Sequence, residues 1–240
     1  MPRYLDPKND LIFYCIFGKQ PHLAISCINE LTPLAVETAE LIHWAEVPHN
    51  PGKFDTMIGF KCSDNFSNQF FVDMQMQWVI PFIGRIAFIN GNAYARQSYR
   101  KREYETNLEQ TVYTLAFLNQ IFDHQTEQFY HHYPTVFCKE SGEAIPGYEI
   151  FMIELPKVKP ENKSPWLRFL TEMSEETREL PPEILENEHI RQAAEICESC
   201  RFSQAEFYQY HDHWLNIWEK RETFSKLTNL TQEQITQISK

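Results

Sequence analysis

The sequence predicts an α/β protein with a mixed central sheet and a helical C-terminal part. Three observations predict it. Apolar residues recur at helical spacing near the start; two strand-like runs around a polar turn follow at 54–77; and two further apolar strand patterns, at 108–122 and 147–157, come after a long helical stretch. The order helices, hairpin, long helix, strand, strand is that of helices packed on a sheet with at least one crossover, and the patterns beyond residue 165 are helical only.

Along the chain, LDPKNDLIFYCIFG (5–18) opens with turn residues and passes into Leu11, Ile12, Cys15 and Ile16 at helical spacing, with Asn9 or Asp10 suited to the N-cap and Gly18 to the stop. Leu23, Ala24, Cys27, Ile28 and Leu31 predict a second helix over 21–34, and an extended piece around 39–45 brings Trp44 to the core. The Pro, Asn and Gly of VPHNPGK mark a loop. FDTMIGFKC, the turn SDNFSN and QFFVDMQMQ then read as a hairpin. Its second strand sets Asp73 and Gln75 on one face, about 6–7 Å apart, with Val72, Met74 and Met76 on the other. An acid within an apolar strand requires a metal, a cation or a hydrogen-bond donor.

The run from Phe82 to Glu105 predicts a long helix with Phe82, Ile86, Ile89, Ala93, Tyr94 and Gln97 near one face. Its end holds the concentrated basic cluster Arg96, Arg100, Lys101 and Arg102, which also suits the negative end of a helix dipole. LEQTVYTLAFLNQIF and GYEIFMIELPK suit strands buried on both faces, with a connecting excursion between them and a short hairpin near Tyr133–Cys138. KVKPENKSP is a polar linker, which divides the chain into 1–157 and 158–240. Helices are expected at about 165–180, 182–199 and 203–227, the last anchored by Trp214, Ile217 and Trp218.

Net charge is −11, from 22 Lys and Arg against 33 Asp and Glu, which disfavours non-specific nucleic-acid binding through a generally basic surface. The deficit is spread over both parts and marks no boundary. Six scattered cysteines read as reduced thiols rather than a disulfide framework. No run of about 18 uncharged apolar residues occurs and MPRYLDPKND lacks the apolar core of a leader, so a cytoplasmic protein with no membrane association is expected. Cys197 and Cys200 form a CxxC, but His211 and His213 would point about 200° apart on a helix, so zinc is not the expected reading and the two cysteines are assigned to one buried helix face. His131 and His132 have no recognisable partner acid and read as packing residues.

Four stretches in order, YLDPKNDLIFYCIFG, FKCSDNFSNQFFVDMQMQW, the helix with NAYARQ, and FMIELPK, resemble the recombination-promoting nuclease and transposase-like group of bacterial PD-(D/E)XK nucleases over nearly the whole chain. The resemblance implies a PD-(D/E)XK, restriction-endonuclease-like core with an αβββαβ order, DNA as substrate and Mg2+ or Mn2+ as cofactor. It puts Asp73 at the family's second-strand Glu as a metal ligand, Gln75 at its Gln, and Gln97 at a commonly polar helix position. The family's first-strand Asp falls on Gly59, which has no side chain to bind a metal, and Tyr14 stands where a basic residue is usual. Asp55 is the candidate replacement ligand, on the same face as Gly59 but about 13 Å along a regular strand. Asp10 is a candidate accessory ligand beside its capping role, and Arg85, Arg96 and Arg100 are candidate DNA-backbone contacts.

Three functions are therefore expected to compete. One is a nuclease fold with a degraded, weak or inactive site. Another is an active Mg2+-dependent DNA nuclease using Asp55, Asp73 and Gln75. The third is a non-catalytic interaction module that binds a protein partner or a second copy through its helical tail.

Overall fold

The structure, a computed structural model, describes residues 2–42, 57–77, 111–134, 148–162 and 164–228. Trp44, Asp55 and the long helix expected from Phe82, with Arg85, Arg96, Gln97 and Arg100, lie outside the described residues.

Asn9 starts the first helix, α1 (Asp10–Phe13), by accepting a hydrogen bond from Leu11 N through Oδ1. A π-helical turn, Tyr14–Gly18, continues it. A Cβ at residue 18 would lie 2.5 Å from the Tyr14 ring, so glycine is what lets that ring pack over the helix end. Helix α2 (Pro21–Leu31) buries Leu23, Ala24, Cys27, Ile28 and Leu31, as its spacing predicts. Asn29 then exchanges two 2.8 Å hydrogen bonds with the backbone of Val36, fixing the helix to the first strand.

Six strands among the described residues form one mixed sheet: β1 (Val36–Ile42), β2 (Met57–Asp64), β3 (Gln69–Gln77), β4 (Val112–Leu118), β5 (Tyr130–Tyr133) and β6 (Tyr148–Glu154), in the order β1-β2-β3-β4-β6-β5. β1, β2 and β3 are antiparallel neighbours, β3, β4 and β6 run parallel, and β5 closes the edge antiparallel to β6. The β2–β3 turn is built by Asp64, whose Oδ1 accepts from Phe66 N and Asn68 N while Oδ2 accepts from Asn68 Nδ2. Those bonds, the Asn68 side chain first, hold its carboxyl below the usual range. Asp64 is thus a turn residue. β5 runs over Tyr130–Tyr133 and pairs antiparallel with β6, while the hairpin expected at 133–138 lies, beyond Pro134, outside the described residues.

Strand alternation gives the sheet two different faces. Val72, Met74 and Met76 of β3, Leu115 and Phe117 of β4, and Phe151 and Ile153 of β6 belong to one large cluster with Phe13, Phe17, Leu23 and Ile28. The C-terminal helices α3 (Pro165–Glu172), α4 (Pro182–Leu185), α5 (Glu188–Ile196) and α6 (Gln204–Thr228) join the same cluster through Trp166, Phe169, Ile184, Ile190, Tyr210 and Ile217. Trp166 meets the Phe17 ring at 5.2 Å between centroids and donates from Nε1 to Ser26 Oγ at 3.0 Å. Leu5 N donates to Cys197 O, and Asn9 Nδ2 to Tyr210 O. These bonds tie the first residues of the chain to the helical tail.

Two expectations for the tail are corrected. Trp218 is 62% exposed, whereas Ile217 is buried and Trp214 half-buried: the three residues fall on two sides of α6. Cys197 is buried at the end of α5 while Cys200, in the following 3-10 turn, is exposed, so the pair shares no buried face.

Candidate active site

The register of the ladder places Gly59 of β2 directly opposite Asp73 of β3, and Thr114 of β4 directly beside Asp73 on its other flank. Paired residues share a face, so Gly59, Asp73 and Thr114 form a row across three strands, with Cα atoms of neighbours about 4.5–5.5 Å apart. One step along the same face, Gln75 pairs with Met57 and Ala116. The site is a buried patch on the sheet face away from the main core. Asp73 and Gln75 are each 1% exposed and Thr114 is fully buried.

Among the described residues, neither carboxylate oxygen of Asp73 has a hydrogen-bond donor. Burial pushes its pKa up to about 7, because an ion that has lost water and gained no partner is the costlier form. The orphaned oxygens of Asp73 would welcome a divalent cation. The donor set that the described residues offer is poor: Gly59 supplies no ligand, Thr114 a neutral hydroxyl and Gln75 a neutral carbonyl, leaving one negative ligand among them for a cation that selects carboxylate oxygens. Among the described residues no group of three His, Cys, Asp or Glu is placed to hold a metal ion.

Asp10 is elsewhere. Its helix packs on the opposite sheet face, where Phe13 meets Phe117 edge-on at 6.0 Å, and its carboxylate pairs with His213 Nδ1 at 3.1 Å. His213 is thereby a buried link between α6 and α1, while His211 is exposed, and the two do not act together. Tyr14 starts the π-helical turn and packs against the core, far from a phosphate-contacting role.

A polar cluster that the sequence reading missed ends β6. Glu154 is fully buried; Oε1 accepts from His131 Nε2 (2.7 Å) and Lys157 Nζ (2.9 Å), and Oε2 from Phe122 N (2.6 Å) and Asp123 N (3.3 Å). Burial alone would raise its pKa, but the bonds from Lys157, Phe122 and His131 outweigh it and hold the carboxyl below the usual range. Lys157 Nζ also donates to Gln128 O, so the cluster locks the 119–129 loop against β6. The signal was available: Glu154 and Lys157 stand three apart at the end of an apolar strand, where an acid needs a partner. The expectation that His131 and His132 lack an acid partner is corrected: both lie on β5, His131 against Glu154 and His132, stacked on Phe151, against Glu149 Oε2 at 2.8 Å, acids that β6 brings alongside from about 20 residues away.

A mixed sheet with an antiparallel hairpin feeding a parallel crossover, carrying an acid and a glutamine two residues apart on one buried face, defines an α/β protein of the PD-(D/E)XK nuclease-like fold. Residues 7–225 match the family described as PD-(D/E)XK nuclease family transposase. The chain belongs to that family, and its match runs through both the sheet and the C-terminal helices. Comparison with curated proteins and with solved structures returned no match. No single helix among the described residues is long and apolar enough to cross a membrane.

Proposed function

We propose that this family member keeps the nuclease fold with a cleavage site reduced to one carboxylate, so that metal-dependent hydrolysis of DNA is weak or absent. The pairing of Gly59 with Asp73 carries the reading: the strand position facing the acid offers no ligand. Asp73 and Gln75 are the surviving members of the site, and Gln97, with Arg85, Arg96 and Arg100 as contacts to a DNA backbone, completes the proposed set. Phosphodiester hydrolysis by divalent ions depends on ligands that fix the ion's geometry and charge, and halving the carboxylates weakens both. No catalytic step is assigned to the site as it stands.

Cleavage of supercoiled plasmid with Mg2+ or Mn2+ tests the reading, comparing the native chain with Gly59→Asp, Asp73→Ala and Asp55→Ala, and titrating Mn2+ into the first two by calorimetry. The expected result is nicking and at least about tenfold tighter Mn2+ binding for Gly59→Asp alone. Cutting by the native chain that disappears in Asp73→Ala and in Asp55→Ala overturns the proposal in favour of an active nuclease with a relocated ligand. Cutting that survives Asp73→Ala removes the site assignment altogether.

A further inference from the structure

Helix α6 carries apolar residues on two sides. Tyr210, His213 and Ile217 face the core, while Tyr208, Leu215 and Trp218 are 68%, 62% and 62% exposed. At about 100° per residue the last three fall within roughly 60° of the line through Leu215, a stripe about 15 Å long on the side away from the core. A large aliphatic residue and two aromatics in one exposed row on one helix are the composition of a binding face rather than of a solvated helix.

The charges beside the stripe say what can cover it. Asp212, Glu219 and Glu222 are exposed and lie within roughly 60° of the same line, together with His211, whereas Arg221 lies about 120° away. No described Lys or Arg side chain of α6 is on this face. A second copy would set carboxylates against carboxylates, and each chain adds a net charge of −11. Nucleic acid and an anionic membrane surface are disfavoured by the same sign.

We infer that the Tyr208–Leu215–Trp218 stripe is a docking surface for a basic amphipathic helix of another protein, which lays apolar side chains at i, i+3/i+4 and i+7 on the stripe and sets lysines or arginines against Asp212 and Glu219. Helix-in-helix-groove recognition of this kind takes its affinity from the apolar anchors and its choice of partner from the flanking charges. The surface is independent of the sheet site, and it stands whether or not the protein cuts DNA.

The test uses the full chain and two labelled synthetic helical peptides with the same leucine pattern, one filled with lysine and one with glutamate, read by fluorescence anisotropy. The lysine peptide is expected to bind at least tenfold more tightly than the glutamate peptide. Leu215→Ser with Trp218→Ser should lose at least tenfold, and Asp212→Lys with Glu219→Lys should reverse the peptide preference. Because all four side chains are exposed, circular dichroism should show these variants folded like the native chain. Equal binding of the two peptides, or lysine-peptide binding unchanged by the serine pair, overturns the inference. So does a dimer in sedimentation analysis that the serine pair dissolves, since the occupant is then a second copy.

Discussion

Replacing Asp73 by asparagine removes the buried carboxylate of the β2–β3 hairpin at nearly constant volume and leaves the neighbouring side chains in place. In the folded chain this carboxyl titrates near 7, against an ordinary value of 3.8. The folded state therefore holds its proton over a pH range in which the unfolded state has released it, and stability falls as pH rises through that range. At about 1.4 kcal/mol per unit, the shift amounts to about 4 kcal/mol lost by neutral pH and above. Asparagine carries no such dependence; whatever its amide costs in the same place is the same at every pH. The free-energy difference between Asp73→Asn and the native chain should consequently move by about 3 kcal/mol in the variant's favour between pH 5 and pH 8. Urea denaturation at both pH values, in a chelator so that no cation pairs with Asp73, measures it. A difference that stays constant between the two would refute the reasoning, because it would mean that Asp73 is ionised and satisfied in the fold.

Three other perturbations follow from the packing. Glu154→Ala takes the carboxylate from the buried Lys157 ammonium, which keeps only the Asp123 and Gln128 carbonyls, and leaves the Phe122 amide without this acceptor, and should cost about 3–5 kcal/mol at pH 7 in the same denaturation experiment. Because the folded pKa of Glu154 lies below its unfolded value, that contribution is complete at neutral pH and shrinks as pH falls through the folded pKa, so the gap from the native chain should narrow as the solution is acidified through that range. Trp166→Ala, which empties a fully buried site against Phe17 and Phe169, should cost about 3–5 kcal/mol. Trp218→Ala, on the exposed side of α6, should change stability by no more than about 0.5 kcal/mol, as thermal unfolding of the pair will show.

The parts of the fold legible in the sequence are those set by local period and turn chemistry. Alternation in QFFVDMQMQ and the Asp64 turn placed β3 and its side-chain faces, and the spacing of Leu23, Cys27 and Ile28 placed α2. What local pattern could not supply is which distant groups meet. His213 pairs with Asp10 across about 200 positions, and Glu154 collects donors from Phe122, Asp123 and His131, contacts created by the crossover and the return of the tail. Trp218 was misjudged for a related reason: α6 is apolar on two sides, and periodicity alone does not tell the side that meets the core from the side left outside. At the site, Gly59 was singled out by the family resemblance, whereas its register against Asp73 and the lack of a donor to the carboxylate among the described residues came only with the assembled sheet.

The two faces of the sheet separate stability from chemistry. The face with Val72, Met74, Leu115 and Phe117 lies in a core that runs on into α1, α2 and the C-terminal helices, large enough to carry a group that works against folding. The other face holds that group, Asp73, whose burial costs about as much as a large core truncation gives up. A leucine there would avoid the cost, so packing does not account for an acid at this position. A cation or a proton does, and on the proposed reading Gly59 decides between them. With a second carboxylate facing it, Asp73 would repel its neighbour until an ion bound both; with glycine facing it, one proton suffices to neutralise the site. On the proposed reading, in which Gly59 withdraws a metal ligand, the same residue also makes the metal-free fold easier to hold. A chain in which the ligand is restored should be more dependent on divalent cations for its folding as well as for any cutting it does.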